Sequence, residues 1–147
     1  MTQLYCSALL GLHAFSGCDS TSAFKGKGKV KPMKVMQQKP KFATAFAKLE
    51  ENWKVTEDLL DGLEMFTCFM YGRQRLQHAN NLRHHMLNEK CGEDGISANV
   101  NIDLLTLPHC CKTLKQHCLR ANFQACIWKR SHEATPDVPL PQHGHIW

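Results

Sequence analysis

After Thr56, apolar side chains fall at positions 59, 60, 63, 66, 69 and 70. This three-and-four spacing gathers them on one face of an α-helix, and no strand can use it. The spacing recurs through most of the chain. Leu4, Leu9, Leu10, Leu12 and Phe15 mark a first helix over about 3–15, apolar nearly all round and so expected to be well buried. Phe42, Ala45, Phe46 and Leu49 mark another behind Pro40, and Leu114, Cys118, Leu119, Ile127 and Trp128 mark the last, over about 110–132. Weaker patterns predict a short helix over about 30–37 and one over 78–90. The stops and starts agree with these assignments. Ser16-Gly17 ends the first helix, and Pro32 falls within a first turn, where its missing N–H costs nothing. Thr56 caps a helix that carries Glu57 and Asp58 at the positive end of its dipole. No stretch alternates polar and apolar residues as a strand would. The sequence predicts an all-α chain of five to six helices.

A chain of 147 residues has room for one domain. The helical pattern fills residues 1–135, and three prolines between 136 and 141 predict an extended tail over 136–147. The stretch from Cys91 to Asn101 is polar, with two glycines, and is expected to be a loop. With 43% hydrophobic and 21% charged residues the composition is globular. The apolar stretches are too short to cross a membrane, and no basic n-region precedes the first of them. The expected compartment is intracellular, and for a DNA-binding chain nuclear more than cytoplasmic. The eight cysteines sit largely inside amphipathic patterns, as Cys6, Cys68, Cys118 and Cys126 show. They are therefore expected to be reduced core residues.

The net charge of +5 conceals a strong asymmetry. Residues 1–49 hold eight lysines against Asp19, for +7, and residues 50–64 hold six acids against Lys54, for −5. Residues 65–90 carry +3 from Arg73, Arg75, Arg83 and Lys90 against Glu89. Such blocks fit an anionic partner at one end of the molecule, nucleic acid being the usual one, or two solvated faces.

The densest basic segment is Gly17-Cys18-Asp19-Ser20-Thr21-Ser22-Ala23-Phe24-Lys25-Gly26-Lys27-Gly28-Lys29, followed by Lys31 and Lys34 in the next helix. A Gly-x-Gly turn between two helices lets backbone N–H groups approach a phosphate, and the following helix adds its dipole. The candidate phosphate grip is Lys25, Gly26, Lys27, Gly28, Lys29, Lys31 and Lys34.

This segment resembles the helix–two-turn–helix element of flap-endonuclease and XPG-type nucleases, relatives of the PIN-domain fold. That motif has Gly-Cys/Ser-Asp, six intervening residues, then Gly-x-Gly and a helix; here Ser20 to Lys25 are the six. Phe24 falls on the family's apolar position before the hairpin, and Met33, Val35 and Met36 on those of the following helix. Ser20 stands where the family has an aromatic residue, and Lys27 where it has an apolar one. The run from Leu12 to Asp19 and the run from Leu119 to Trp128 are also similar to animal proteins of mobile-element character. The resemblance implies an element over 3–37 that holds double-stranded or branched DNA by its backbone. It implies a monovalent cation at the Gly26–Gly28 hairpin and Mg²⁺ bound through Asp19.

Metal-dependent phosphodiester cleavage needs several carboxylates around one or two Mg²⁺ ions. Nothing acidic precedes Asp19. The expected fold is thus the C-terminal, helical portion of a PIN-like α/β domain lacking its sheet. The expected function is nucleic-acid backbone binding without independent nuclease activity, cutting only if an upstream half supplies the rest. The alternative is a helical protein-interaction module derived from such a nuclease, working through the Glu50–Glu64 acidic block and the tail.

Other candidates are weaker. His109-Cys110-Cys111 with His117-Cys118 suggests zinc, but no Cys-x-x-Cys pair exists, and Cys111 and Cys118 sit on one helix face beside Leu114 as core packing would place them. Cys91, His143 and His145 could complete such a site only by tertiary coincidence. His84 and His85 beside Arg83 fit a polar helix face better than a nucleic-acid contact. His13 is expected to be partly buried with a backbone partner. Trp53, Trp128 and Trp147 are expected to be core or tail anchors.

Overall fold

A computed structural model of the chain describes residues 3–91, 103–135 and 137–139. Six α-helices run through them: α1 (Gln3–Ser16), α2 (Val30–Gln38), α3 (Pro40–Lys48), α4 (Glu57–Met70), α5 (Ala79–Cys91) and α6 (Cys111–Lys129). A short 3-10 turn at Leu104–Thr106 precedes α6, which polar spacing alone did not reveal. No strand forms among the described residues; the one extended pairing is a bridge between Cys18 and Thr21. Most of the predicted loop after Cys91, and most of the predicted tail with His143, His145 and Trp147, lie outside the described residues.

The helix boundaries follow their capping chemistry. Thr56 accepts a hydrogen bond from the Leu59 N–H (3.3 Å), as its place before α4 predicts. Gly17 ends α1 with φ of 116°, and a Cβ there would lie 2.7 Å from the Ala23 Cα, so both conformation and space require glycine.

The core assembles around Phe15 near the end of α1. Its ring meets Phe24 (5.2 Å between centroids), Phe46 (5.5 Å), Phe66 (5.8 Å) and His117 (5.1 Å), one each from the loop, α3, α4 and α6. α1 and α3 cross so closely that a Cβ on Gly11 would fall 2.3 Å from the Phe46 carbonyl oxygen. α6 closes the other side of α1. There His117 Nε2–H donates to the Phe15 carbonyl (2.6 Å), while burial pushes the imidazole pKa down to about 4.

Several expectations are corrected. α1 is well buried, as expected, except along one stripe of Gln3, Cys6, Leu10 and His13. Leu10 is 39% exposed and Cys6 is exposed, so Cys6 is not a core residue. The acidic block is not one solvated surface. Glu64 accepts from the Ala79 N–H (2.6 Å) and the Cys111 thiol (3.0 Å), joining α4 to the starts of α5 and α6. Glu50 is buried against Lys129 Nζ (3.3 Å), with its second oxygen unpartnered and its pKa raised by that burial.

Candidate nucleic-acid interface

The predicted grip lies between α1 and α2 as two consecutive turns. In the first, Cys18 and Thr21 exchange backbone hydrogen bonds (3.0 and 3.3 Å), which puts Asp19 and Ser20 at the tip. The buried Thr21 hydroxyl donates to the Ala14 carbonyl (2.5 Å) and accepts from the Cys18 N–H (3.2 Å), pinning this turn to α1. Ser20 Oγ donates to Gln124 Oε1 (2.5 Å) and pins it to α6. The second turn spans 25–29, anchored by the buried Phe24, whose carbonyl accepts from the Lys27 N–H (3.1 Å). Gly26 (φ 79°) and Gly28 (φ 60°) occupy the left-handed region, and a Cβ on either would meet only open space. Backbone at these glycines is therefore reachable from outside.

The lysines of this segment do different things. The Lys29 ammonium turns inward to the end of α1, donating to the His13 carbonyl (3.0 Å), Ser16 Oγ (2.9 Å) and the Gly17 carbonyl. Lys25 pairs with Asp103 in front of the 3-10 turn, and its hydrogen bond holds the Asp103 carboxyl below the usual carboxylate range. Lys27 lies over the Tyr71 ring, 4.2 Å from its centroid. Lys31 and Lys34 project from the exposed face of α2.

Lys27, Lys31 and Lys34 line one wall of a groove of about 540 Å³, with Gln38 beside them and Gly72 and Gln74 opposite. Gly72 and Gln74 are shared with a second groove of about 500 Å³, lined also by Arg73, Arg75 and His85. The corner after α4 thus continues the basic wall of α2. Burial lowers the Lys27 pKa, and the positive charges of Lys31 and Arg73 lower it further. These cations repel one another, and a bound anion would relieve that repulsion. Arg73 also pairs with Glu89 (2.5 Å), which in turn meets His85 Nε2 (2.9 Å). Sequence spacing did not join Gly72–Arg75 to α2; the Arg73 and Arg75 charges were visible, their tertiary neighbours were not.

Asp19 stands elsewhere, on a concavity of about 280 Å³ with His13, Cys18, Ser20, Gln124 and Trp128. His13 is exposed and stacks on Trp128 (5.3 Å, 20° between planes) in place of the expected backbone partner. Among the described residues, no group of three or more His, Cys, Asp or Glu side chains is placed to hold a metal ion. The residues around Asp19 therefore do not fit the carboxylate-rich Mg²⁺ site that the resemblance implies.

The Cys18 thiol in this concavity is raised by partial burial and lowered, on balance, by the Ser20 and Thr21 hydroxyls beside it (3.4 and 3.1 Å). Backbone hydrogen bonds from Ser20 and Thr21 lower it too, and only the hydroxyl share needs hydroxyl protons aimed at sulfur. Thr21 gives its proton to Ala14 and Ser20 gives its own to Gln124. The single thiol proton can then point at only one of these two oxygens at a time.

Of the zinc candidates, the two histidines stay together while the cysteines turn to other partners. The His109 ring packs on Phe24 (5.3 Å) and His117 (5.6 Å), with burial lowering its pKa. Cys110 meets Thr113 (3.3 Å), Cys111 meets Glu64, and Cys118 is fully buried. His84 meets Asn88 (3.1 Å) within α5. Among the described residues, no helix is long and apolar enough to cross a membrane. Compared with known proteins, the chain matches no protein-family model, no curated protein and no solved structure.

Proposed function

We propose that this protein binds the sugar-phosphate backbone of nucleic acid without reading its sequence. The observation that carries the reading is the convergence of Lys27, Lys31 and Lys34 on one groove, continued by Arg73 and Arg75 across Gly72 and Gln74. Lys27 in the turn and Lys31 and Lys34 on the exposed face of α2 present point charges to one groove, as contacts to a phosphate backbone require. The exposed turn at Gly26–Gly28 and the N-terminus of α2 add backbone donors and a dipole to the same end. The resemblance of Gly17–Lys34 to a duplex-gripping element points the same way.

In this account Lys25 and Lys29 leave the grip, because neither lines the groove of Lys27, Lys31 and Lys34. Lys29 shapes the segment and Lys25 ties it to Asp103. Around Asp19 no further carboxylate lines the concavity, and this supports a reading of grip without cutting by this chain alone.

Fluorescence anisotropy with a labelled DNA duplex tests it. The K27A/K31A/K34A variant is expected to lose most of the wild-type affinity, while K25A keeps it. Equal binding by wild type and the triple variant would move the interface elsewhere on the molecule.

A further inference from the structure

The largest concavity among those described lies away from the lysine groove, between α3 and α4, at about 610 Å³. Its floor is apolar, built from Phe42, Ala45 and Leu59, and its two walls carry opposite charge. Lys41 and Lys48 stand seven apart on α3, two turns along one face. Asp58 and Asp61 stand three apart on α4. None of these four forms an ion pair among the described residues. Lys41 instead reaches across to the Met65 thioether (2.8 Å), a weak acceptor.

The floor also contains Gly62, in the middle of α4. Glycine there makes a helix less stable than alanine does. The chain's own packing does not demand it, since a Cβ on Gly62 would lie 3.7 Å from the Ala45 Cβ, an ordinary contact. Its backbone conformation is helical, with no positive φ. What glycine provides at this place is an open floor, on which another backbone or side chain can settle closely.

We propose that this groove is a self-association surface and that its occupant is a second copy of the same chain. Opposite charge on the two walls is what selects that occupant. A two-fold axis running along the groove lays α3 of one copy over α4 of the other, so the lysine wall meets the aspartate wall twice. A groove with walls of one sign could not pair with itself in this way. The apolar floors, with Gly62 of each copy, then lie between the two seams, and the eight charges, four from each copy, form a polar rim.

Sedimentation equilibrium over about 1 µM to 1 mM, the range in which modest dimers dissociate, reads the association directly. Wild type is expected to shift from monomer to dimer, and the shift to weaken with added salt. K41E/K48E makes both walls acidic and D58K/D61K makes both basic, so each alone is expected to remain monomeric. Mixing the two in equal amounts is expected to recover a dimer, because an all-acidic groove faces an all-basic one. Far-ultraviolet circular dichroism confirms that each variant keeps its helices. A wild type that stays monomeric throughout overturns the proposal. So does a mixture of folded variants that fails to associate, or a pair of variants that dimerise as wild type does.

Discussion

The Lys29 ammonium donates a 2.9 Å hydrogen bond to Ser16 Oγ, with the His13 and Gly17 carbonyls gathered around the same nitrogen. A side chain from the entrance of α2 therefore closes the exit of α1. The last carbonyls of a helix lack intrahelical partners and carry the negative end of its dipole, so a cation suits them. Replacing Lys29 by methionine keeps much of the stem and removes the charge. The expected loss is about 1–2 kcal/mol of unfolding free energy, with K29R retaining part of it. Urea denaturation measures both. An unchanged midpoint in K29M would mean that the contact contributes nothing to the fold.

Two helical glycines separate packing from propensity. G11A drives a methyl group against the Phe46 carbonyl, where a Cβ would sit at 2.3 Å, and is expected to cost about 1–3 kcal/mol. G62A places its methyl in ordinary contact with Ala45 and is expected to raise stability by about 0.5–1 kcal/mol. Thermal unfolding of the two variants should move in opposite directions. A G11A variant as stable as wild type would contradict the close crossing of α1 and α3.

His117 makes stability depend on pH in a definite direction. Its pKa is about 4 in the folded protein, below the ordinary 6.5, so between these values the unfolded chain binds more protons. Stability is therefore complete above pH 6.5 and is lost as pH falls toward 4, by about 3 kcal/mol for this group. Burial depresses His109 as well, which adds loss of the same sign. Denaturation midpoints collected from pH 7 to pH 4, in wild type and H117Q, check this. The variant should show the shallower decline, whatever its stability at neutral pH. Parallel curves would show that His117 is not the group being protonated.

The helices were legible because their signals are local. Thr56 caps α4, Pro40 starts α3 and Gly17 stops α1, each through chemistry confined to one turn of chain. The Gly-x-Gly turn between α1 and α2 was legible for the same reason. Glycine spacing marked Gly26 and Gly28, whose left-handed backbone bears out a turn at that place. What each lysine does there was hidden, since it is decided by distant partners. Lys29 looks no different from Lys31 in sequence, yet one faces the end of α1 and the other faces outward. Asp103 claims Lys25 across 78 positions of chain, and Tyr71 lies under Lys27. The acidic block misled in the same way. Glu64 repeats at helical spacing with Asp61, but only α5 and α6 make it a half-buried acceptor. His13 and Trp128 sit at opposite ends of the sequence, so their stacking left no local trace.

The account of Lys27, Lys31 and Lys34 as the phosphate grip is tested most directly by the salt dependence of duplex binding. Each phosphate neutralised releases counterions, and the slope of log K against log salt changes by about 0.9 per contact. Titrations of wild type and K27A/K31A/K34A at several salt concentrations give the two slopes. The account predicts a slope shallower by about three in the triple variant, with no comparable change in K25A. Identical slopes in wild type and the triple variant, or an affinity in wild type that ignores salt, would contradict it.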